Sequence, residues 1–201
     1  MTIQAPKEDF KITGKVTNIA GTAITSATIK ATNVSTGRIF STSSLSTGIL
    51  GSYTLNITEK GTYSLEAITS APNYQGSRSL PNIVFNDTSP LSVTRNFTLS
   101  AATGKFVIKG TITEAKTGKV VSGAGIHLHN KTKNSYIVAS SNTSGKYAVF
   151  TDEEGTYELE VTPGQSTQLQ GAFSRPDFVF NNSSAKELSR NITLQPKVVS
   201  T

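Results

Sequence analysis

Short stretches of alternating apolar and polar residues recur along the chain and predict β-strands. In the first stretch, residues 10–17, Phe, Ile, Gly and Val occupy the even positions and Lys or Thr the odd ones. A period of two places one face of a strand in a core and the other in water. Seven such stretches precede residue 100 and seven follow it, separated by turns rich in Gly, Ser and Pro. The pattern therefore predicts an all-β protein.

The second set of stretches repeats the first in the same order. The matching segments are FKITGKV at 10–16 and FVIKGTI at 106–112, GSYTL at 51–55 and GKYAV at 145–149, GTYSLEA at 61–67 and GTYELEV at 155–161, and RNFTL at 95–99 and RNITL at 190–194. An ordered repeat of this kind indicates two copies of one module. We predict two tandem antiparallel seven-stranded β-sandwiches with Greek-key-like connections.

The repeat also divides the chain. The predicted parts are an N-terminal arm at 1–9, β-sandwich repeat 1 at 10–100, a short linker at 101–104, β-sandwich repeat 2 at 105–195 and a C-terminal tail at 196–201. A linker of this length restricts the freedom of the modules it joins.

The repeated motifs resemble a known family. They are G-x-V/I in the first strand, A-x-I at Ala27–Ile29 and Ala124–Ile126, then G-x-Y-x-L/V and G-T-Y-x-L. Together they look like the carboxypeptidase regulatory-like domain, which is close to Cna-B-like and transthyretin-type β-sandwiches. The resemblance covers both copies almost end to end. It implies a mostly non-catalytic module of surface proteins, transporter extensions, adhesins and virion appendages, acting as a spacer, stabiliser or adhesin.

Relatives of the Cna-B type also imply a Lys–Asn crosslink between the first and last strands. The candidates are Lys11 or Lys15 with Asn96, and Lys109 with Asn191. The alternation places these residues on wet faces, whereas such a crosslink forms in a dry interior where a lysine can lose its proton. We therefore do not expect it.

Charge and composition exclude several classes of partner. The net charge of +6 is shared evenly by the two halves, and no stretch concentrates Lys or Arg with interleaved aromatics, so we expect no nucleic-acid binding. Cysteine is absent, which removes disulfides and thiolate chemistry. No apolar run approaches the roughly 20 residues of a membrane span, and the first residues lack an apolar leader. We expect no membrane insertion, no signal peptide, and a location on a virion or an extracellular surface.

Candidate chemistry is sparse. His127 and His129 share a strand face and form at most half a metal site, and a solvated face is the expected environment. The acidic run at 152–154 lacks the spacing of a calcium loop. No nucleophile elbow, zinc-protease or phosphate-loop motif occurs. We therefore predict a protein that is not an enzyme, with no catalytic residues, no metal and no cofactor.

The segments before the predicted sixth strands vary between the copies. These segments are Ser70–Pro81 and Thr162–Pro176, and the strands predicted next to them are Leu80–Phe85 and Asp177–Phe180. The candidate binding residues in these loops are Tyr74, Arg78, Phe173 and Arg175. An aromatic ring beside Arg and amides suits a sugar ring or a protein surface. The alternative is a loop pinned by an aromatic that packs back onto the sheet.

The sequence thus predicts a non-enzymatic structural or display protein of an extracellular assembly. Within that class we predict a phage capsid decoration or fibre protein, with protein partners in a capsid or surface filament. The alternative is an adhesin module that binds a carbohydrate, such as a host glycan, or a receptor.

Overall fold

The structure, a computed structural model, describes residues 9–69, 73–164 and 168–197. Most of the predicted arm at 1–9 and of the predicted tail at 196–201 lies outside these described residues.

The chain divides into two compact units of eight strands each, and the described residues contain no helix. The units are Met1–Ala71 with Gly76–Ser100, and Pro72–Gln75 with Ala101–Thr201. The first unit contains β1 Phe10–Asn18, β2 Thr28–Asn33, β3 Ile39–Ser43, β4 Ser52–Ile57, β5 Gly61–Ile68, β6 Gly76–Phe85, β7 Ser92–Thr94 and β8 Phe97–Leu99. The second contains β9 Phe106–Glu114, β10 Gly125–Asn130, β11 Ser135–Ser140, β12 Lys146–Thr151, β13 Gly155–Thr162, β14 Ala172–Phe180, β15 Glu187–Ser189 and β16 Ile192–Leu194.

Both units have the same strand pairing. In the first, β1 lies between β4, which is antiparallel to it, and the short strands β7 and β8, which are parallel to it. The facing strands pair antiparallel in the order β3-β2-β5-β6. In the second, β9 pairs with β12, β15 and β16 in the same way, and β11-β10-β13-β14 repeats the antiparallel order. The predicted all-β sandwich is confirmed for each unit, but the first and last strands pair parallel, where antiparallel pairing was predicted throughout.

Apolar side chains from the two sheets of each unit meet in its core. Phe10 on β1 stacks on Phe85 of β6 with ring centroids 4.6 Å apart. Phe106 on β9 stacks on Phe180 of β14 at the same distance. All four side chains are buried, and each contributes about 1.5–3 kcal/mol through removal of apolar surface from water. The apolar positions of the alternating pattern in the first strand of each unit are therefore the positions that face its core.

The last predicted strand of the first unit is broken in two, which raises the strand number to eight. The break falls at Arg95, whose carbonyl oxygen accepts a hydrogen bond from the Tyr53 hydroxyl at 2.6 Å. A Cβ at position 14 would lie 1.8 Å from that oxygen, so only Gly14 fits beneath it. We call Gly14, Tyr53 and Arg95 the strand-break motif of the first unit.

The second unit has the same strand-break motif, formed by Gly110, Tyr147 and Arg190. Tyr147 donates to the Arg190 carbonyl oxygen at 2.7 Å, and a Cβ at position 110 would lie 1.8 Å from that oxygen. Burial raises the pKa of Tyr147, as it does the pKa of its counterpart Tyr53, so both hydroxyls remain protonated donors. The glycine and tyrosine of the repeated motifs are therefore explained by structure alone.

The sixth strand of each unit is longer than predicted, because it begins upstream of its proline, at Gly76 in β6 and at Ala172 in β14. In the first unit, β5 and β6 pair at Tyr63–Ile83 and again at Leu65–Ser79, so residues 80–82 bulge out of register. Pro81 lies in this bulge, where a missing N–H removes no ladder hydrogen bond. Pro176 on β14 lies at the corresponding bulge.

Candidate functional site

Three of the four candidate binding residues lie on strands instead of in loops. Arg78 is on β6 of the first unit, and Phe173 and Arg175 are on β14 of the second. Tyr74 belongs to the second unit, where it forms an isolated bridge with Ala101. The structure brings Phe173 and Arg175 together, with the guanidinium carbon 5.2 Å from the ring centre.

A shallow, open groove of about 380 Å³ lies beside Phe173 and Arg175. One wall is β14, and the other is the strand break followed by β16. The lining residues are Ala172, Phe173, Ser174, Arg175, Pro176, Arg190, Asn191, Ile192 and Thr193. The Phe173 side chain is 49% exposed, so an aromatic ring is available at the rim of this groove.

Arg175 is held by carboxylates. Its Nη1 lies 2.7 Å from Glu158 Oε2 and 2.7 Å from Asp177 Oδ1. Lys131 Nζ lies 2.7 Å from the other oxygen of Asp177. The hydrogen bond from Lys131 holds the pKa of the Asp177 carboxyl below its usual value, and the same bond raises the pKa of Lys131. Exposed ion pairs add little stability, but several of them together fix the direction of the guanidinium.

Arg190 supplies a second cation to the groove and was missed by the sequence analysis. Its backbone carbonyl belongs to the strand-break motif, and its guanidinium carbon lies 5.9 Å from the ring centre of Phe178. Within the described residues, its Nε is buried without a hydrogen-bond partner. Arg190 opens the repeated segment RNITL, which the sequence analysis used only as a marker of the repeat.

This groove suits binding more than catalysis. It offers the flat ring of Phe173, which can stack on a sugar ring, and two guanidinium groups, which can contact an anion. Asn191, next to the strand break, is also exposed in the groove. The lining contains no carboxylate, histidine or other general base. Among the described residues, no three His, Cys, Asp or Glu side chains are grouped as metal ligands would be.

The first unit does not repeat the chemistry of this groove. Arg78, Leu80 and Arg95 stand at the positions of Phe173, Arg175 and Arg190. The exposed aromatic ring and its guanidinium neighbour are thus specific to the second unit.

The two histidines differ in environment. His127 is only 5% exposed, so the predicted solvated face is wrong for this residue, which lies between Val138 of β11 and Glu160 of β13. His129 stacks on Tyr136 with ring centroids 4.2 Å apart, and its Nε2 lies 3.2 Å from Asn134 Oδ1.

Asparagines at the strand breaks bond the first strand of each unit. Asn96 is exposed, and its Oδ1 accepts a hydrogen bond from the Lys15 backbone N–H at 3.0 Å. Asn191 holds the Thr111 N–H in the same way, also at 3.0 Å. The side chain of Lys109 pairs with a carboxylate of β15 at 2.7 Å.

Comparison with known proteins gives fold-level similarity only. No family model matches the chain, and no curated protein matches it. A streptococcal ancillary pilin is 13% identical, with 96% of this chain and 64% of that chain covered and a TM-score of 0.36. The shaft pilin SpaA from Lactobacillus rhamnosus GG is 15% identical, with 96% and 99% covered and a TM-score of 0.35.

A 5-hydroxyisourate hydrolase from Klebsiella pneumoniae is 15% identical, with 47% of this chain and 88% of that chain covered and a TM-score of 0.36. This chain spans slightly less than two thirds of the streptococcal pilin. Similarities this low carry no argument about function. Among the described residues there is no helix of the length and apolarity that a membrane span requires.

Proposed function

We propose that this chain is a non-enzymatic structural or display protein of an extracellular assembly. The observation that supports this most directly is the use of the polar residues that both units share. The tyrosine of each strand-break motif donates its hydroxyl hydrogen to a backbone carbonyl of the same unit. One buried asparagine in each unit, Asn33 or Asn130, accepts hydrogen bonds from backbone N–H groups of the turn that follows it. Their chemistry is thus directed at holding strands together, as expected of a scaffold.

Asn130 illustrates this use. Its Oδ1 accepts from the Thr132 and Lys133 N–H groups, both at 3.1 Å, and its Nδ2 donates to the Tyr157 hydroxyl at 3.0 Å. Asn33 bonds the corresponding turn, and the two side chains are 2% and 3% exposed. Although both asparagines stand in glycosylation sequons, their carboxamides are engaged inside the fold.

Within this class we propose a virion component, a capsid decoration or fibre protein of a phage. The support is class-level: paired sandwiches that resemble modules of virion appendages, with no cysteine to oxidise. The test is mass spectrometry of density-purified particles from the producing culture, with a labelled antibody to locate the chain. Stoichiometric presence on particles is expected. Protein that is free or cell-bound, and absent from particles, would reject the virion role.

A second candidate function is recognition of a glycan or receptor by the groove of the second unit. The exposed Phe173 ring beside the fixed Arg175 guanidinium favours it. On a glycan array, we expect binding that Phe173→Ala abolishes. Val179→Ala is the matched control, because Val179 is also exposed on β14 but does not line the groove. Binding that survives Phe173→Ala would exclude this site.

A further inference from the structure

The first unit carries an uncharged edge strand followed by a loop with exposed apolar side chains, whereas the corresponding loop of the second unit is shorter and polar. Residues 39–58 contain no Asp, Glu, Lys, Arg or His, although the whole chain has 32 acidic and basic residues, 19 plus 13. This stretch includes β3 and the loop Leu45–Leu50 that follows it. Within the part of the chain that the structure describes, β3 is hydrogen-bonded only to β2 and ends its sheet.

The loop Leu45–Leu50, which joins β3 to β4 of the facing sheet, is longer than this connection requires. Leu45 and its neighbours bond Ser52 and Gly51 across the loop base, and the shorter polar loop 142–144 of the second unit closes with the same bonds between Asn142 and residues 145–146. The longer loop of the first unit nevertheless exposes the apolar side chains of Leu45, Ile49 and Leu50, and Ile49 is 73% exposed. Apolar groups that the scaffold does not require, gathered on one loop, indicate an interaction surface.

The backbone of β3 is prepared for another strand. The Asn33 N–H donates to the Arg38 carbonyl, and the Ser44 N–H donates to the Ala27 carbonyl. The even-numbered residues of β3 therefore direct their backbone N–H and C=O groups toward β2. Because bonded and non-bonded pairs alternate in an antiparallel ladder, Ile39, Ser41 and Ser43 direct their N–H and C=O groups outward. β3 has no proline, lysine or bulge, the features that usually protect an edge strand.

We propose that this edge pairs with the same edge of a second copy of the chain. In an antiparallel pair related by a two-fold axis at Ser41, Ile39 of one copy lies opposite Ser43 of the other. Every outward backbone group of the three residues is then satisfied, by about six hydrogen bonds between the copies. The same register places the loop Leu45–Leu50 beside the partner's β2–β3 turn, which exposes the apolar side chain of Val34.

Charge permits a second copy at this edge and disfavours an anionic membrane. Two chains of net charge +6 repel each other, and this edge is where they can approach without placing like charges together. The adjoining Arg38 is already paired with Glu59 at 2.8 Å. An anionic membrane would instead attract a cationic surface, which residues 39–58 do not supply.

The test uses the absence of cysteine. In full-length Ser41→Cys, the only two thiols of a dimer would face each other, and the Cα spacing of about 5.5 Å for such a pair lies within disulfide range. We expect mild oxidation to produce a covalent dimer at least ~10-fold faster than in Thr54→Cys, the control with an exposed thiol on β4. Equal rates would overturn the proposal.

Sedimentation of the unsubstituted chain, which has no cysteine, gives an independent measure of dimer formation. We expect a concentration-dependent dimer whose Kd rises at least ~10-fold in Ser41→Lys, because two lysines would then meet on the axis. Thr54→Lys should leave the Kd unchanged. A chain that remains monomeric into the high micromolar range, or that floats with anionic vesicles as a monomer, would refute the pairing.

Discussion

The two units share their inner framework and differ on their outer surfaces. At one corner of the second unit, Lys131, Glu158, Arg175 and Asp177 form a chain of ion pairs. The corresponding residues of the first unit are Val34, Ser64, Leu80 and Asn82, of which Val34 and Leu80 are exposed. A whole charged cluster has thus been exchanged for apolar and neutral side chains without any change in strand pairing.

The inner framework does not vary in this way. The glycine, tyrosine and arginine of the strand-break motif occupy the same places in both units, with the tyrosine hydroxyl bonds at 2.6 and 2.7 Å. This comparison shows that the fold depends on a few places where one backbone packs closely against another, as Gly14 does against the Arg95 carbonyl. The ion pairs on the surface, in contrast, can be replaced. Substitutions in the framework should therefore affect both units strongly and equally, and surface substitutions should affect them little and unequally.

The largest effect is expected from Gly14→Ala and Gly110→Ala. Each new Cβ would lie 1.8 Å from a carbonyl oxygen, so the last strand must move away and lose its bonds. We expect a loss of about 3 kcal/mol or more in each case, measured by urea unfolding with circular dichroism. The control is Gly21→Ala, where the Cβ meets nothing within 4 Å and the φ of 81° costs only about 1 kcal/mol. Equal losses at positions 14 and 21 would contradict the role of the close approach.

A smaller effect is expected from Tyr53→Phe and Tyr147→Phe. Each removes one hydroxyl donor and leaves a carbonyl oxygen of the strand break unsatisfied, at a cost of about 1–2 kcal/mol. Thermal unfolding of the two variants should show similar decreases in midpoint. A marked difference between them would show that the strand-break motifs are not equivalent.

Much of this framework follows from the sequence, because it is encoded locally and twice. The alternation at residues 10–17 predicts a half-buried strand, and the repeated G-x-Y and G-T-Y motifs mark its partners. The direction of the last strand was predicted wrongly, since local alternation does not tell which neighbour a strand pairs with. The sixth strand is longer than predicted because a proline in a bulge cannot be distinguished, from sequence alone, from a proline in a loop.

The groove was only half predictable for a similar reason. Phe173 and Arg175 stand out because an aromatic and a cation are close in sequence, although they were assigned to a loop. Arg190 lies in a segment that repeats almost unchanged, and only the folded strands bring it to the opposite wall. The exposure of Phe173 does not agree with the alternative of an aromatic ring packed back onto the sheet.

The smallest effect is expected at the ion pairs that distinguish the two units. Asp177 has a lowered pKa in the folded chain, so its pairing stabilises the fold above the unfolded pKa and this stabilisation is lost as the pH falls through the folded pKa. Asp177→Asn should therefore lower the unfolding midpoint slightly at pH 7 and match the unsubstituted chain at a pH below both values. Asn82→Asp places the same carboxyl in the first unit, where Val34 stands in place of Lys131, and should not stabilise that unit at pH 7. A stabilising Asn82→Asp would show that the charged cluster depends on the shared scaffold and not on its lysine.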